Sequence, residues 1–463
     1  MEKLVCDYIG VEKISGPLLF VENTKNVGYG EVVKIYGKDG IERKGRVIDV
    51  SDKVVVVQVF EGCSGLSSLD TKVSFIGKPL TFKVSKDLLG RVLNGLGEPI
   101  DGLPASLGGE ERDINGSSIN PVCRDYPSDF IQTGVSSIDG LNTLIRGQKL
   151  PVFSGSGLPH DLLAAQIVKN AKILTADESF VVIFAAMGIK NDVADFFRKN
   201  FEESGSMKNV TMFLNLAQDP SEERVVTPRY ALTLAEYLAF QEGMHVLVIL
   251  TDMTNYCEAL REIASAKNEV PSRKGYPGYL YSDLASIYER TGKIKGNKGS
   301  ITQIPILSMP NDDITHPIPD LTGYITEGQI VLDRSLHQKG IYPPINVLPS
   351  LSRLMKDGIG AGKTRDEHHN LASQLYAIYS RIDNVRSLAS IIGESELSSY
   401  DQKCLKFGDR FEREFVREKW SENRTIEETL DLGWELLKIF PKQDLVRVNE
   451  EQLKKYYDKN ITN

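Results

Sequence analysis

Long apolar runs are missing from this 463-residue sequence. No stretch approaches the roughly 18 consecutive apolar residues that a membrane-spanning helix needs, and the opening MEKLVCDYIG lacks the apolar core of a secretory signal. We therefore expect a chain without a membrane span, in the cytoplasm or bound peripherally to a larger assembly.

Organised cysteines are missing as well. The five cysteines are scattered and never form a C-x-x-C pair; they are Cys6, Cys63, Cys123, Cys257 and Cys404. This pattern argues against a disulfide or zinc framework and predicts small core side chains in a reducing compartment. No metal site is predicted.

The sequence also has no excess of basic residues. It contains 55 Lys and Arg and 63 Asp and Glu, which gives a net charge of −8. Nucleic acid is therefore a poor candidate partner. The composition, 41% hydrophobic and 25% charged, is ordinary for a globular protein and leaves ample material for a core. At about 150 residues per domain, the length predicts two to four domains.

Three kinds of pattern follow one another along the chain. Residues 1–75 hold short, evenly spaced β-branched runs, with a hairpin turn signal at Gly37-Lys38-Asp39-Gly40, and predict a small closed β-barrel. The turn-rich stretch 90–127 lacks periodicity and predicts a linker that wraps a surface. Residues 350–463 show amphipathic helical spacing over 365–386, 398–415 and 425–440, which predicts a C-terminal α-helical bundle.

Between these ends, strands and helices alternate. Apolar runs at 150–153, 180–186, 210–216, 245–251 and 301–309 are separated by helical patterns at 192–203, 229–241, 256–267 and 279–291. Continuous apolar strands with crossover helices predict a mostly parallel sheet covered on both faces. We place the linker and this α/β domain over residues 76–349. Ligands of such sheets bind at the carboxyl ends of the strands.

One of those ends has the context of a phosphate-binding loop but lacks its residues. An apolar strand runs into FSGSGLPH and then a helix, as in the G-x-x-x-x-G-K-[ST] motif. Ser154 and Pro159 replace the two glycines, His160 replaces the lysine, and Asp161 replaces Ser or Thr. Every fixed position of the motif therefore differs.

Each change weakens triphosphate binding. His160 is shorter than Lys and mostly neutral at pH 7, Pro159 has no N–H, and Asp161 brings a negative charge to the Mg²⁺-phosphate position. We interpret the loop as an NTP-binding site that has lost its machinery, weak or empty, formed by Ser154, Gly155, Ser156, Gly157, Leu158, Pro159 and His160. The alternative, which stays open here, is an ordinary loop in which Asp161 caps the helix.

Other candidate residues are weaker. Asp252 ends the apolar strand HVLVILTD and has the form of a Walker B carboxylate, although it could equally cap the next helix. Gly360 to Thr364 contains GKT but no preceding apolar strand, so we predict a flexible loop. His368 and His369 are adjacent rather than four residues apart, and we expect both to face solvent.

The most specific local pattern is Pro343-Pro344-Ile345-Asn346-Val347-Leu348-Pro349-Ser350-Leu351-Ser352. It resembles the P-[SAP]-[LIV]-[DNH]-x-x-x-S-x-S signature of the α and β subunits of rotary ATPases. FSGSGLPH, KGYPGYLYSDLASIYERTG (274–292) and DITHPIPDLTGYITEGQI (313–330) are similar to stretches of the B subunit of V-type and A-type ATPases. The resemblance covers essentially the whole chain, and GAGKTRDEHH is closer to prokaryotic versions.

This resemblance implies an architecture and a role. The central domain is expected to be RecA-like, in a ring of three catalytic A subunits alternating with three B subunits. Central rotor and peripheral stalk subunits are the further partners, on the cytoplasmic face of the membrane. The resemblance implies that ATP or ADP with Mg²⁺ binds at the A–B interface, where Arg353 occupies the position of an arginine finger; the alternative for Arg353 is an intrachain salt bridge near a helix start. The coupling ion, proton or sodium, stays open.

A different hypothesis assigns the chain the same fold but no place in a ring of A and B subunits. The chain would then be a nucleotide-binding or scaffold protein with no rotary partner, and it would stay monomeric beside any Walker-A-bearing chain. In either case the degenerate loop predicts that this chain does not turn over ATP by itself.

Overall fold

A computed structural model describes residues 5–22, 24–105, 108–173 and 180–458. Along them the strands are β1 Cys6–Ile9, β2 Lys13–Ser15, β3 Leu18–Glu22, β4 Glu31–Tyr36, β5 Glu42–Val50, β6 Val54–Val59, β7 Lys72–Pro79, β8 Thr81–Val84, β9 Val92–Asn94, β10 Glu110–Asp113, β11 Arg124–Asp125, β12 Phe130–Gln132, β13 Leu144–Ile145, β14 Val152–Gly155, β15 Lys172–Ile173, β16 Phe180–Ile189, β17 Val210–Leu216, β18 His245–Thr251, β19 Gly292–Ile294, β20 Ser300–Met309, β21 Gly328–Leu332 and β22 Ile345–Ser352.

The α-helices of the same residues are α1 Ser136–Asp139, α2 His160–Asn170, α3 Asn191–Glu203, α4 Ser221–Arg224, α5 Thr227–Phe240, α6 Met253–Ala266, α7 Leu280–Tyr288, α8 Pro317–Ile325, α9 Arg334–Gln338, α10 Met355–Gly358, α11 His368–Tyr379, α12 Ile382–Ile392, α13 Ser399–Arg410, α14 Ile426–Leu437 and α15 Glu450–Gln452. The chain divides into two compact units. Unit 1 comprises Met1–Asn120 and Val181–Arg290, and unit 2 comprises Pro121–Phe180 and Thr291–Asn463.

The N-terminal part of unit 1 is an antiparallel sheet of seven strands, in the order β1-β7-β4-β5-β6-β3-β2. Because successive side chains of a strand point to opposite faces, alternate residues such as Val33 and Ile35, or Val55 and Val57, enter one common core. The hairpin between β4 and β5 forms at the predicted turn, where Gly40 takes a φ of 71°. The predicted β-barrel architecture is confirmed, although the described pairings leave β1 and β2 as edges and form a half-barrel.

The rest of unit 1 is an α/β layer. Strands β18, β16, β17 and β9 lie side by side in that order, and β17 is parallel to both β16 and β9. All seven residues of β18 are buried, which explains the unbroken apolar run at 246–250.

Strand β9 corrects one prediction. The stretch 90–127 is not purely a surface linker, because Val92 and Leu93 are buried at the edge of this sheet. A strand of three residues, closely flanked by Gly90 and Gly95, is too short to show any periodicity.

Unit 2 contains the other parallel strands. Strand β14 lies between β20 and β21 and is parallel to both, and β22 adds to β21 in the antiparallel direction. Residues 350–352 belong to β22, so the predicted helical region does not begin at residue 350. Ser350 and Ser352 face the interior, and Leu351 between them is exposed. This two-residue repeat is typical of a strand, and the prediction of a helical region overlooked it.

The C-terminal helices of unit 2 surround an aromatic row. Phe407, Phe411 and Phe415 recur every four residues and stack with ring centroids 5.6 and 5.0 Å apart. The helix predicted over 365–386 is instead two helices, α11 and α12. The Ser380 hydroxyl at the break donates to the Ala377 carbonyl oxygen at 3.0 Å, a back-bond of the kind that bends helices.

His368 is buried, which corrects the prediction that it faces solvent; His369 is exposed. The His368 Nε2–H donates to the Gly140 carbonyl oxygen at 2.9 Å, and Nδ1 lies 3.0 Å from the Thr364 hydroxyl. Burial lowers the pKa of His368 to about 4. The imidazole therefore acts as a neutral structural hydrogen-bonding group.

Within the described residues, no helix combines the length and apolar character needed to cross a bilayer.

Candidate functional site

The loop between β14 and α2 uses its own amides internally. Leu158 N–H donates to the Gly155 carbonyl oxygen at 3.1 Å, and His160 N–H donates to the Leu158 carbonyl oxygen at 2.9 Å. Pro159 between them has no N–H. A phosphate cradle needs consecutive amides that point outward to the anion. Residues 158–160 therefore offer a phosphate none of the donors that such a loop supplies.

The side chains at the degenerate phosphate-loop positions also contact one another. The buried Ser154 hydroxyl lies 2.9 Å from His160 Nδ1, and His160 Nε2 lies 3.7 Å from the Asp161 carboxylate. The imidazole is thus held within the loop by its neighbours. It cannot replace a lysine whose long stem reaches the β and γ phosphates.

Asp161 is not the helix cap, which corrects the alternative interpretation of this loop. Helix α2 begins at His160, its N-cap is Pro159, and no side chain caps it. Since the helix starts one residue earlier than that alternative requires, Asp161 lies within the first turn. Its negative charge there is favoured by the helix dipole.

Two residues that the sequence analysis missed lie against this loop. Arg334 and Asp312 form a two-pronged ion pair, with Nε and Nη2 at 2.6 and 2.8 Å from the two carboxylate oxygens. Arg334 Nη2 also donates to the Ser156 carbonyl oxygen at 3.0 Å, and a Cβ on Gly155 would lie 2.1 Å from Asp312 Oδ1. The pair therefore packs directly on the loop backbone. The sequence did contain one signal for Asp312. It closely follows the carboxyl end of β20, and such strand ends are where ligands of parallel sheets bind.

A cavity of about 660 Å³ opens beside the start of α2. Its walls include Pro159 and Leu162 with Tyr342 and Trp420, and Arg413 adds a charge. The Tyr342 hydroxyl donates to Gln166 Oε1 at 2.8 Å. Volume and aromatic lining are those of a small-ligand site, with a flat apolar contact for a ring.

The ten-residue signature forms a hydrogen-bonded frame around β22. Ser350 Oγ accepts from Val331 N–H at 2.9 Å and donates to the Asn346 carbonyl oxygen at 2.6 Å. Ser352 Oγ donates to the Thr143 carbonyl oxygen at 2.7 Å and accepts from Gln148 Nε2 at 3.0 Å. Because these serines are buried, the frame fixes the end of β22 without competition from water.

Arg353 follows this frame directly and is exposed. Its N–H donates to the Glu327 carbonyl oxygen at 3.0 Å, Nη1 to the Thr326 carbonyl oxygen at 3.1 Å, and Nη2 to the Gly323 carbonyl oxygen at 3.4 Å. These carbonyls lie at the end of α8, where the helix dipole favours a cation. Within the described ranges no carboxylate lies at ion-pair distance from the guanidinium, so none of these residues neutralises its charge.

Asp252 caps a helix in unit 1. Its Oδ1 accepts from Thr254 N–H at 2.7 Å at the start of α6, and the residue is 8% exposed. This is the capping role that the sequence left as an alternative to Walker B. The Walker B role stays a prediction. Across the described residues, no group of three or more His, Cys, Asp or Glu could hold a metal ion.

The GKT segment is a closed turn rather than a phosphate loop. Lys363 Nζ donates to the Asp357 carbonyl oxygen, and Gly360 N–H donates to Thr364 Oγ1 at 2.9 Å. Both groups that would meet a phosphate are therefore used within the loop, which agrees with the prediction that this is not a phosphate loop; the predicted flexibility stays a prediction.

Comparisons with known proteins match these parts of the chain. Three family models match in succession: the β-barrel domain of the ATP synthase alpha/beta family over residues 11–77, its nucleotide-binding domain over 134–352, and the C-terminal domain of V and A type ATP synthase over 357–457. The chain therefore has the barrel, α/β and helical parts of an ATP synthase alpha/beta-type protein.

Relatives with similar full-length sequences identify the subunit type within this family. The chain is 62% identical over 454 residues to the V-type ATP synthase beta chain of Halothermothrix orenii, covering 98% of each. It is 60% identical over 455 residues to the B subunit of the A-type ATP synthase of Aeropyrum pernix, again covering 98% of each. A solved ATP synthase subunit, NeqB from Nanoarcheaum equitans, aligns with a TM-score of 0.72 and 41% identity, covering 92% of this chain and 99% of that one. This chain belongs to the B-subunit (beta-chain) family of V-type and A-type ATP synthases.

Proposed function

We propose that this chain is the non-catalytic, regulatory B subunit of a rotary ATPase or ATP synthase, and that it completes the active site of a neighbouring A subunit with Arg353. The observation that carries the proposal is the presentation of Arg353. Its guanidinium is exposed, anchored by backbone carbonyls and not neutralised by a carboxylate among the described residues. A rigid frame of buried hydrogen bonds precedes it.

The chemistry suits a finger in trans. Guanidinium is permanently charged, and its planar fork can grip two phosphate oxygens. Charge spreads over the γ-phosphoryl oxygens in the transition state, and such a finger accelerates the reaction by roughly 10³- to 10⁵-fold. ATP or ADP with Mg²⁺ would bind mainly on the A subunit, with Arg353 reaching across the interface.

The chain's own loop contributes little to triphosphate binding. The amides of residues 158–160 are used internally or missing, and the Arg334–Asp312 pair packs on the loop. The cavity beside Tyr342 and Trp420 could still hold an adenine ring, because base contacts need no phosphate loop. We therefore expect weak nucleotide binding at this side and no turnover by the isolated chain.

The assembly follows from this role. Three such chains would alternate with three A subunits around a central rotor stalk, held by peripheral stalk subunits at the cytoplasmic face of a membrane. The B subunit would transmit the state of the A–B site to the rotor and so couple ATP turnover to transport of protons or sodium ions.

The test is co-expression with a Walker-A-bearing A subunit. Arg353→Ala should leave assembly intact and abolish ATP hydrolysis of the assembled complex. The matched control is Arg198→Ala, which removes an arginine that is about half exposed on α3 and should leave turnover unchanged. A chain that stays monomeric beside the A subunit would contradict the proposal, as would near-normal turnover of the Arg353 variant.

A further inference from the structure

A second cavity lies wholly inside unit 1 and plays no part in the site described above. It has a volume of about 450 Å³. One wall is formed by strands β5 and β6 of the half-barrel, and the other by helices α5, α6 and α7 with the loop that follows β10. A volume of this size is within the usual range for small-molecule sites.

The half-barrel wall presents a buried hydrogen-bond donor that has no acceptor, next to an arginine. Arg46 and Gln58 are direct cross-strand partners, and Arg46 Nε donates to Gln58 Oε1 at 3.2 Å. Gln58 is fully buried, and its Nε2 amide has no hydrogen-bond partner. Leaving such a group unpaired costs about 1–3 kcal/mol, so a buried orphan donor calls for an acceptor.

The charge of Arg46 is only partly balanced by its surroundings. In the described part of the chain, no carboxylate lies within ion-pair distance of its guanidinium. Burial lowers the pKa of Arg46, the like charge of Arg229 acts in the same direction, and the Asp283 carboxylate offsets part of this effect. An anion beside Arg46 would relieve both penalties, whereas a cation would add to them.

The other charged side chains that line the cavity are ion-paired or, for Asp113, hydrogen-bonded to neutral amides. Asp283 is paired with Arg229 at 2.9 Å and accepts from the Tyr256 hydroxyl. The Asp113 carboxylate accepts from the backbone and side-chain amides of Asn115, at 2.8 and 2.9 Å. The Lys267 ammonium is paired with Glu269 at 2.7 Å. Among the described residues, Arg46 is therefore the cation lining this cavity that lacks an ion-pair partner.

We propose that this cavity binds a small oxyanion, a carboxylate or phosphate group, through the Arg46 guanidinium and the Gln58 Nε2 amide. Guanidinium offers a planar fork of N–H donors that matches either group, and the amide adds a third donor from the neighbouring strand. Because the donors are on the half-barrel and the opposite wall is on helices, an occupied site would tie these two parts of unit 1 together.

The test is titration of the full chain with inorganic phosphate and, separately, with acetate. Binding is followed by calorimetry and by the midpoint of thermal unfolding, at constant ionic strength maintained with chloride. Phosphate stabilises many proteins non-specifically, so the variants decide the result. Arg46→Gln removes the charge, and Gln58→Glu places a carboxylate where Oε1 already meets Arg46. Arg198→Gln removes an arginine on α3 and is the matched control.

We expect saturable binding of at least one of the two anions at one site per chain, unchanged in Arg198→Gln. Loss of a charge-assisted hydrogen bond should weaken that binding about tenfold or more in Arg46→Gln. Gln58→Glu should abolish it, because the variant supplies its own oxyanion. Absence of binding by both anions would overturn the proposal, as would equal binding in wild type and both cavity variants.

Discussion

Acid should destabilise this protein through His368. Its pKa is about 4 in the folded chain against about 6.5 in an unfolded one. The folded state therefore binds fewer protons than the unfolded state, so the contribution is intact above pH 6.5 and is lost as the pH falls towards 4. The linkage relation gives a loss of about 2 kcal/mol between pH 7.5 and pH 5, approaching about 3 kcal/mol below pH 4.

The geometry supports this sign. Nε2–H already donates to the Gly140 carbonyl oxygen, so neutral His368 must accept from the Thr364 hydroxyl at Nδ1. Protonation would turn Nδ1 into a second donor, so the Thr364 hydroxyl would have to reverse its role and accept, and it would bury a charge.

Other buried groups have the opposite effect, so the assay must compare variants. Burial raises the pKa of Asp139 and of Glu418 to about 7, so their contributions are present at low pH and are lost as the pH rises towards 7. Urea unfolding at pH 7.5 and pH 5 should therefore be measured for wild type, His368→Gln and the control His369→Gln. His369 is exposed and one position away.

The predicted result is a smaller acid-induced loss in His368→Gln, by about 2 kcal/mol relative to wild type. The His369→Gln control should follow wild type. If His368→Gln and wild type lose the same stability between the two pH values, the buried neutral imidazole inferred here is incorrect.

Further predictions concern the frame, the loop and the helical core. Ser352→Ala should lower the free energy of unfolding by about 1–3 kcal/mol, because it removes hydrogen bonds to Thr143 and Gln148. The same variant should lower ATP turnover of the assembled complex about 10-fold or more. Ser390→Ala, at an exposed serine, is the control. Unchanged turnover would show that the frame does not position Arg353. Labelled ATP should bind the isolated chain more weakly than about 1 μM, because the loop offers so few donors; tighter binding in an equilibrium assay would refute that account. Phe411→Ala should destabilise the chain by about 3–5 kcal/mol in denaturant unfolding, and a loss below about 1 kcal/mol would mean that the stacked row is not a packed core.

The sequence was most informative where one period or one motif decides the structure. Short, evenly spaced β-branched runs predicted strands β3 to β6 of the half-barrel, and unbroken apolar runs predicted the buried strands of the sheet. The ten-residue signature located Arg353, and the structure explains its spacing. Ser350 and Ser352 are two residues apart because both face the interior of the same strand.

The missed features depend on contacts between residues far apart in sequence. Arg334 meets Ser156 across 178 positions, and His368 meets Gly140 across 228. No local pattern encodes such a contact. His368 was expected to face solvent because it and His369 lack the four-residue spacing of a metal pair, whereas its burial is decided by packing against a distant turn.

The central claim is that Arg353 acts on a reaction held by another subunit. The direct measurement is the ATP hydrolysis rate of complexes reconstituted from a wild-type A subunit with wild-type, Arg353→Lys or Arg353→Ala chains. We predict assembled complexes in all three cases and a roughly 10³-fold or greater loss of rate for Ala. Lys should restore little, because an ammonium lacks the planar fork. A complex carrying Arg353→Ala that hydrolyses ATP at the wild-type rate would contradict the account.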